Sequence, residues 1–291
     1  MKSLAPLWVF GEVLFDCFPD GAQVLGGAPF NVAWHLQALG HDPRFVSRVG
    51  DDEPGRKILE AMQSWGMDTR WVQVDSDHPT GRVEVALEGG QPHYTITPEV
   101  AYDFIEAGAV GTVPAGGMLY HGMLCLRHPV ARAALEALVV DSGRSVFLDV
   151  NLRAPWWERE AVHARLAGTR WAKMNEDELR EIGFEEPGLA DAMQALQERF
   201  AVEQLVVTRG RDGASVRELD GTFYEAPADL SLPKVDTVGA GDAFSAVYLH
   251  GLIHGWPVSR ILDQAQAFAG AIVGIRGATP GDRAFYGDLM P

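Results

Sequence analysis

An α/β fold with a mostly parallel central sheet and a small extra β unit is the class this sequence predicts, on three observations. From Met118 onward, strand-length apolar runs alternate with helical patterns, which implies a parallel sheet covered by helices. Polar residues collect just after several of those strands, where such sheets bind ligands. Between Thr80 and Thr97 the hydrophobic period shortens to two, the mark of a hairpin inserted among helix–strand units.

The bulk composition sets limits. With 291 residues and 47% hydrophobic content, the chain can bury one large α/β domain with a modest appendage. Lys and Arg number 24 against 40 Asp and Glu, and the net charge of -16 argues against nucleic acid or an anionic membrane as partner. Cys17 and Cys125 lie far apart and form no CxxC, so neither a disulfide framework nor a zinc site is suggested. The apolar run from Leu4 to Phe15 is broken by Glu12 and followed by Asp16, which suits a buried strand better than a signal peptide. No apolar run reaches membrane-spanning length. A soluble cytoplasmic protein is expected.

The segment from Trp8 to Asp16 reads as a buried strand emerging at an acidic end. Asp20-Gly21 is a turn, and Gln23-Val24-Leu25 leads to the Gly26-Gly27 pair. From Pro29 the pattern is helical, with Val32, Leu36 and Leu39 on one face and Gly40 as the stop. Asn31, in the first turn, reads on local grounds as a helix cap. Phe45 to Gly50 is a strand, and Ile58, Leu59, Met62 and Trp65 mark the next helix. The acidic cluster between them lacks metal-site spacing and reads as a cap.

In the period-two segment, Val83, Val85 and Leu87 alternate with Arg82, Glu84 and Ala86, and Tyr94 and Ile96 follow Gly89-Gly90. Such a hairpin should project from a parallel sheet, with the segment around Asp16 to Val24, as a small lid over a substrate. The alternative is an antiparallel edge on the main sheet. The later strands are expected near 118–120, 146–150, 171–174 and 205–208, and the helices over 130–140, from Glu158, and over 189–200. Three polar clusters follow these strands: Asp149, Asn151 and Arg153; Asn175, Glu176 and Glu178; Thr208, Arg209 and Gly210.

In the late stretch Val235 to Phe244, two glycines precede a helix whose residues Phe244, Val247, Tyr248, Gly251 and Leu252 share a face. A helix start offers unpaired N–H groups and the positive dipole end to an anion. Asp242 there is either an ordinary first-turn acid or a base that takes a proton from an attacking hydroxyl. His250 and His254 share a helix face, lack the glutamate of a zinc-protease motif, and read as solvated or packed.

Asp236-Thr237-Val238-Gly239-Ala240-Gly241-Asp242-Ala243-Phe244 resembles the C-terminal signature of the ribokinase-like sugar kinases, the PfkB family. Gly26-Gly27-Ala28-Pro29-Phe30-Asn31-Val32-Ala33 with Leu39-Gly40 resembles the N-terminal signature, Val49-Gly50-Asp51-Asp52 with Gly55 is similar to a common family run, and Asn175-x-x-Glu178 resembles a third motif. Ala101-Tyr102-Asp103-Phe104 is similar to fructokinase-like members, and Asp149-x-Asn151-x-Arg153 with Trp156-Trp157 to fructokinase-like and ketodeoxygluconate-kinase-like ones.

The resemblance implies a ribokinase-like three-layer α/β/α fold with a mostly parallel central sheet and a small β-strand lid. One kinase domain would span 1–291, with lid segments at about 12–25 and 80–100. It implies ATP-dependent phosphorylation of a primary sugar hydroxyl, with fructose favoured over ribose, 2-keto-3-deoxygluconate or a nucleoside. Asp242 would be the base and Gly239, Ala240 and Gly241 the anion hole. Asp16, Asn31, Phe104 and Arg153 would meet the sugar, with Gly26 and Gly27 as hinge. Asn175, Thr208 and Gly210 would meet ATP, Glu178 would hold Mg2+ through water, and Asp236 would help bind K+. Lids in this family can pair between subunits, so a homodimer through the lid is a further expectation. A sugar- or nucleotide-binding protein without turnover is the reading from a different class. A nicotinamide oxidoreductase is disfavoured, because Gly239-Ala240-Gly241 lacks the third fingerprint glycine.

Overall fold

The first strand shows why the chain builds three layers. The computed structural model describes residues 6–88, 91–110, 115–140, 142–229 and 235–287. The Gly89-Gly90 turn of the expected hairpin and the Leu4 end of the first apolar run lie outside them. Strand β1 (Leu7–Phe10) is buried along its whole length. Leu7 and Val9 enter one hydrophobic core, and Trp8 and Phe10 enter another, because successive strand side chains point to opposite faces. A strand apolar on both faces needs helices on both.

Eight further strands join β1 in the central sheet. They are β4 (Arg44–Gly50), β5 (Val72–Asp75), β8 (Met118–His121), β9 (Ser145–Asp149), β10 (Trp171–Asn175), β11 (Gln204–Thr208), β12 (Ala214–Glu218) and β13 (Phe223–Ala226). Their order is β13-β12-β11-β10-β9-β8-β1-β4-β5. Pairing is parallel from β11 to β5 and antiparallel for β12 and β13. The mostly parallel sheet expected from the alternation is therefore present. The antiparallel extension by β12 and β13 goes beyond that expectation.

Residues of α1 (Ala28–Ala38), α2 (Glu53–Trp65), α7 (Ala240–His254) and α8 (Val258–Val273) fill the core on the Leu7 and Val9 side. Residues of α3 (Pro129–Val139), α4 (Arg159–Leu166), α5 (Glu176–Glu181) and α6 (Leu189–Phe200) fill the other. From β1 the chain moves first to β4 and β5 on one side, then to β8 and its successors on the other. The order of winding thus reverses beside β1, and the crevice beyond the strand ends at such a reversal is where open α/β sheets take ligands.

A second sheet stands apart, in the order β3-β2-β6-β7, built from β2 (Leu14–Cys17), β3 (Gln23–Gly26), β6 (Gly81–Glu88) and β7 (Gln91–Ile96). The period-two hairpin pairs with β2, not with an edge of the main sheet, and Asp16 on β2 lies opposite Val83 on β6. Val83 and Val85 are buried, whereas Tyr94 is 51% exposed. Among the described residues no helix is long and apolar enough to cross a membrane.

Candidate active site

Two helix starts face each other at the carboxyl edge of the sheet, and both are opened by a glycine. Gly27 precedes α1 with φ 111°, and Gly239 precedes α7 with φ 80°; neither helix has a side-chain cap. A residue with a Cβ is strained at such φ values. At Gly239 space forbids it too, since a Cβ would lie 2.2 Å from Cβ of Ala278. Ala240 N–H makes only a long 3.4 Å bond to the Thr237 carbonyl. Among the described residues the N–H groups of Gly239, Gly241 and Asp242 have no acceptor. With the positive end of the α7 dipole behind them, these amides can hold an anion. Gly239→Ala is expected to destabilise the fold by about 1–3 kcal/mol from backbone strain alone, read as a lower midpoint in chemical denaturation. An unchanged midpoint would show that the turn before α7 can leave the left-handed region without cost.

The Asp242 side chain turns toward α1. Its Oδ2 accepts a 2.8 Å hydrogen bond from Asn31 Nδ2, across 211 positions of sequence. A carboxylate only accepts, so this contact orients the Asn31 amide. Asn31 is buried and caps nothing; Gly27 holds the N-cap position. The Asn31 Oδ1 is left buried with no donor, an acceptor suited to a ligand hydroxyl.

Burial pushes the Asp242 carboxyl up to about 6, with Asn31 opposing, Asp149 adding, and Lys173 and Arg153 opposing. Asp16 is likewise raised to about 6 by burial, opposed by Arg153 and aided by Asp236. Arg153 is exposed and among the described residues forms no ion pair with Glu158. Its field instead reaches Glu12, Asp16 and Asp242. The structure therefore gathers Asp16, Gly26, Gly27, Asn31, Arg153 and Gly239 to Asp242 around one crevice, with the Asp16 Oδ2 3.6 Å from where a Gly26 Cβ would stand.

Glu12 is a member of this group that the motifs do not reveal. In the sequence it only interrupts an apolar run. In the fold it follows β1 at the reversal point, 3% exposed, with Oε2 unpartnered. Burial lifts its carboxyl to about 7, against a bond to its own backbone N–H and the Arg153 charge, and with Asp242 pushing the same way. The signal that could have found it is the lone acid at the end of an otherwise apolar central strand.

Asp149 belongs to a buttress, not to the crevice surface. Phe147 on β9 and Trp171 on β10 enter the core under α7, so Asp149 and Lys173, two residues further on, point to the same face. Both are buried, and Lys173 Nζ lies 3.0 and 2.8 Å from the two Asp149 oxygens. Tyr120 donates its hydroxyl to Asp149 at 3.2 Å, and Ser245 Oγ stands 2.7 Å from Asp149 Oδ2 and 3.0 Å from the Gly241 carbonyl. This network ties three strand ends to the first turn of α7.

The remaining candidates separate. Thr208 and Gly210 line a cleft of about 580 Å³ with Gly241, Phe244, Ala269 and Val273, a size and mixed lining typical of small-molecule sites. Asn175 and Glu178 form a reciprocal capping box on α5. Glu178 Oε2 accepts from Asn175 N at 2.8 Å, and Oε1 from Leu152 N at 2.7 Å. Both oxygens are thus already engaged, each with a second lone pair left. Asp236 accepts from Val238 N at 3.0 Å and Gly277 N at 3.3 Å, joining the loop before α7 to the loop after α8. Phe104 is stacked on His78, with ring centroids 3.6 Å apart, and tilted against His128. The neighbouring Asp103–Arg127 ion pair holds its segment.

A family model described as "pfkB family carbohydrate kinase" matches residues 18–283. A fructokinase of Klebsiella pneumoniae is 33% identical over 267 residues, 86% of each chain. Among solved structures, a double-mutant fructokinase from Vibrio cholerae O395 with fructose, ADP and potassium ion bound is 25% identical with a TM-score of 0.84, covering 99% of both chains. An aminoimidazole riboside kinase from Salmonella enterica, complexed with aminoimidazole riboside and an ATP analogue, has the same identity and TM-score over 98% of this chain and 99% of that one. The crevice between two uncapped helix starts therefore lies in a chain that belongs to the PfkB family of carbohydrate kinases and has the ribokinase-like fold.

Proposed function

We propose that this ATP-dependent sugar kinase acts on fructose, transferring the terminal phosphoryl group to a primary hydroxyl. The observation that carries the reading is the Asp242 carboxylate, aimed at Asn31 and standing beside three unpaired main-chain N–H groups. Asp242 takes the hydroxyl proton as the new P–O bond forms, and the bond to the bridging oxygen of ATP breaks to release ADP. The amides of Gly239, Ala240 and Gly241 hold the charge on the transferred group.

Asn31 Oδ1 and Asp16 accept from sugar hydroxyls, and the exposed Arg153 faces the acidic pair and offers donors to the substrate. The second sheet, which carries Asp16, acts as the lid that excludes water. Thr208, Gly210 and Asn175 meet the nucleotide. Glu178, already engaged through both oxygens, suits a water held by Mg2+ better than the ion itself, and Mg2+ would neutralise the phosphates. Asp236 is the residue through which a monovalent cation would act on the anion-hole loop.

The test is ADP release with Mg-ATP across fructose, ribose, 2-keto-3-deoxygluconate and aminoimidazole riboside. The highest kcat/KM is expected for fructose. A higher value for the riboside would replace the substrate and keep the mechanism. Measurable sugar binding without ADP release from any of them would favour a binding protein.

A further inference from the structure

We infer that His41, His250 and His254 form a transition-metal site, for Zn2+ by their chemistry, at the end of α7 remote from the crevice. Their ligand atoms all lie within 4.8 Å of one another. His250 and His254 stand one turn apart on α7, the i, i+4 spacing by which a helix offers two imidazoles to one ion. His41 comes from the segment after α1, and its Nε2 is 2.9 Å from Nδ1 of His250.

That close pair needs one donor and one acceptor, so the two rings share a single proton between two nitrogens. Zn2+ in its place, bonded at ~2.0–2.1 Å, would set tetrahedral nitrogens about 3.4 Å apart, a shift of about half an ångström. His41 is buried, His250 half-buried and His254 exposed, so His254 is free to close the remaining distance and a solvent molecule can take the fourth position.

The setting adds to the ligand geometry. The site lies at the C-terminal end of α7, where unpaired carbonyls favour a cation. Trp256 packs edge-on against His250 and lies beside His254, and Arg260 stands over the same indole ring. His250 is about 12 Å along the helix from Asp242, at 1.5 Å per residue. An ion here would fasten the far ends of α1 and α7, the two helices whose near ends present Asn31 and Asp242. Its role is structural: a clasp holding the crevice without touching the reaction.

The experiment uses chelator-treated full-length protein titrated with Zn2+ in calorimetry and thermal unfolding, and with Co2+ in visible absorption. One ion per chain, a rise in melting temperature and the intense bands of tetrahedral Co2+ are expected. His254→Ala, which changes an exposed side chain, should keep the fold and basal activity. It should weaken Zn2+ binding by more than about 100-fold, since losing even an outer-sphere partner costs 10–100-fold. His41→Asn should act likewise on metal affinity. Zn2+ affinity unchanged in His254→Ala, or weak octahedral Co2+ bands in the unaltered protein, would overturn the site.

Discussion

Asp242→Asn is expected to lower kcat by about 10²–10⁴-fold, the usual contribution of a general base, with the KM for sugar changed only a few-fold. The substitution is nearly isosteric, and the new amide oxygen can still accept the bond from Asn31 Nδ2. What disappears is the ability to take a proton. Stability should move the other way. The folded Asp242 is raised to about 6 from an ordinary 3.8, so between those values the native state holds more protons than the unfolded chain. Its contribution to stability falls as pH rises through that window. The asparagine variant escapes this and should be more stable than the parent above about pH 6, with the difference vanishing in acid. Full turnover in the variant would remove Asp242 from its role.

The same ionisation predicts the pH profile. Asp242 must be charged to act as base, so kcat/KM should rise through about pH 6 and level off above it. Asp16 titrates in the same range. The acidic limb should therefore survive in Asp16→Asn if Asp242 sets it, even though that variant binds sugar more weakly.

How much of this was legible depended on how local each feature is. The two faces of β1 and the run of strands from Met118 could be read directly, because alternation and helical period are written within a few residues. The helix starts at Gly27 and Gly239 carry their signals in adjacent glycines. β12 and β13 flank Asp220-Gly221, a turn signal of the kind that marks hairpins, but only the sheet shows that they extend its edge. Asn31 illustrates the limit: as a first-turn residue it reads as a cap, and only the approach of α7 makes it the partner of Asp242. Asp149 was grouped with the polar residues that follow the strands, yet its register beside Lys173 turns it under α7. Glu12 looked like an interruption because nothing local reveals that β1 ends where the winding reverses. Contacts between strands and helices set far apart in sequence are fixed by packing, and one chain read alone does not contain them.

Lys173→Met should lower stability by about 3–5 kcal/mol, the cost of leaving a buried charge without its partner. Lys173 supplies two of the four donors around Asp149, and both residues are under a tenth exposed. Methionine fills a similar volume, so little of the loss should come from a cavity. Asp149→Asn in the same background should recover most of it, because the amide needs no counter-charge while its oxygen still accepts from Tyr120 and Ser245. Chemical denaturation of the single and double variants reads both effects. A loss below about 1 kcal/mol, or no recovery in the double variant, would mean that solvent reaches the pair. The first turn of α7 would then need a brace other than this network, because Ser245 links Gly241 to Asp149. An anion hole is only as well aligned as the turn that carries it, so kcat should follow stability across the series and recover with Asp149→Asn. If kcat stays low in that stable double variant, Lys173 acts on the reacting phosphate itself, and its position 3.5 Å from where a Gly241 Cβ would stand is the geometry that would explain it.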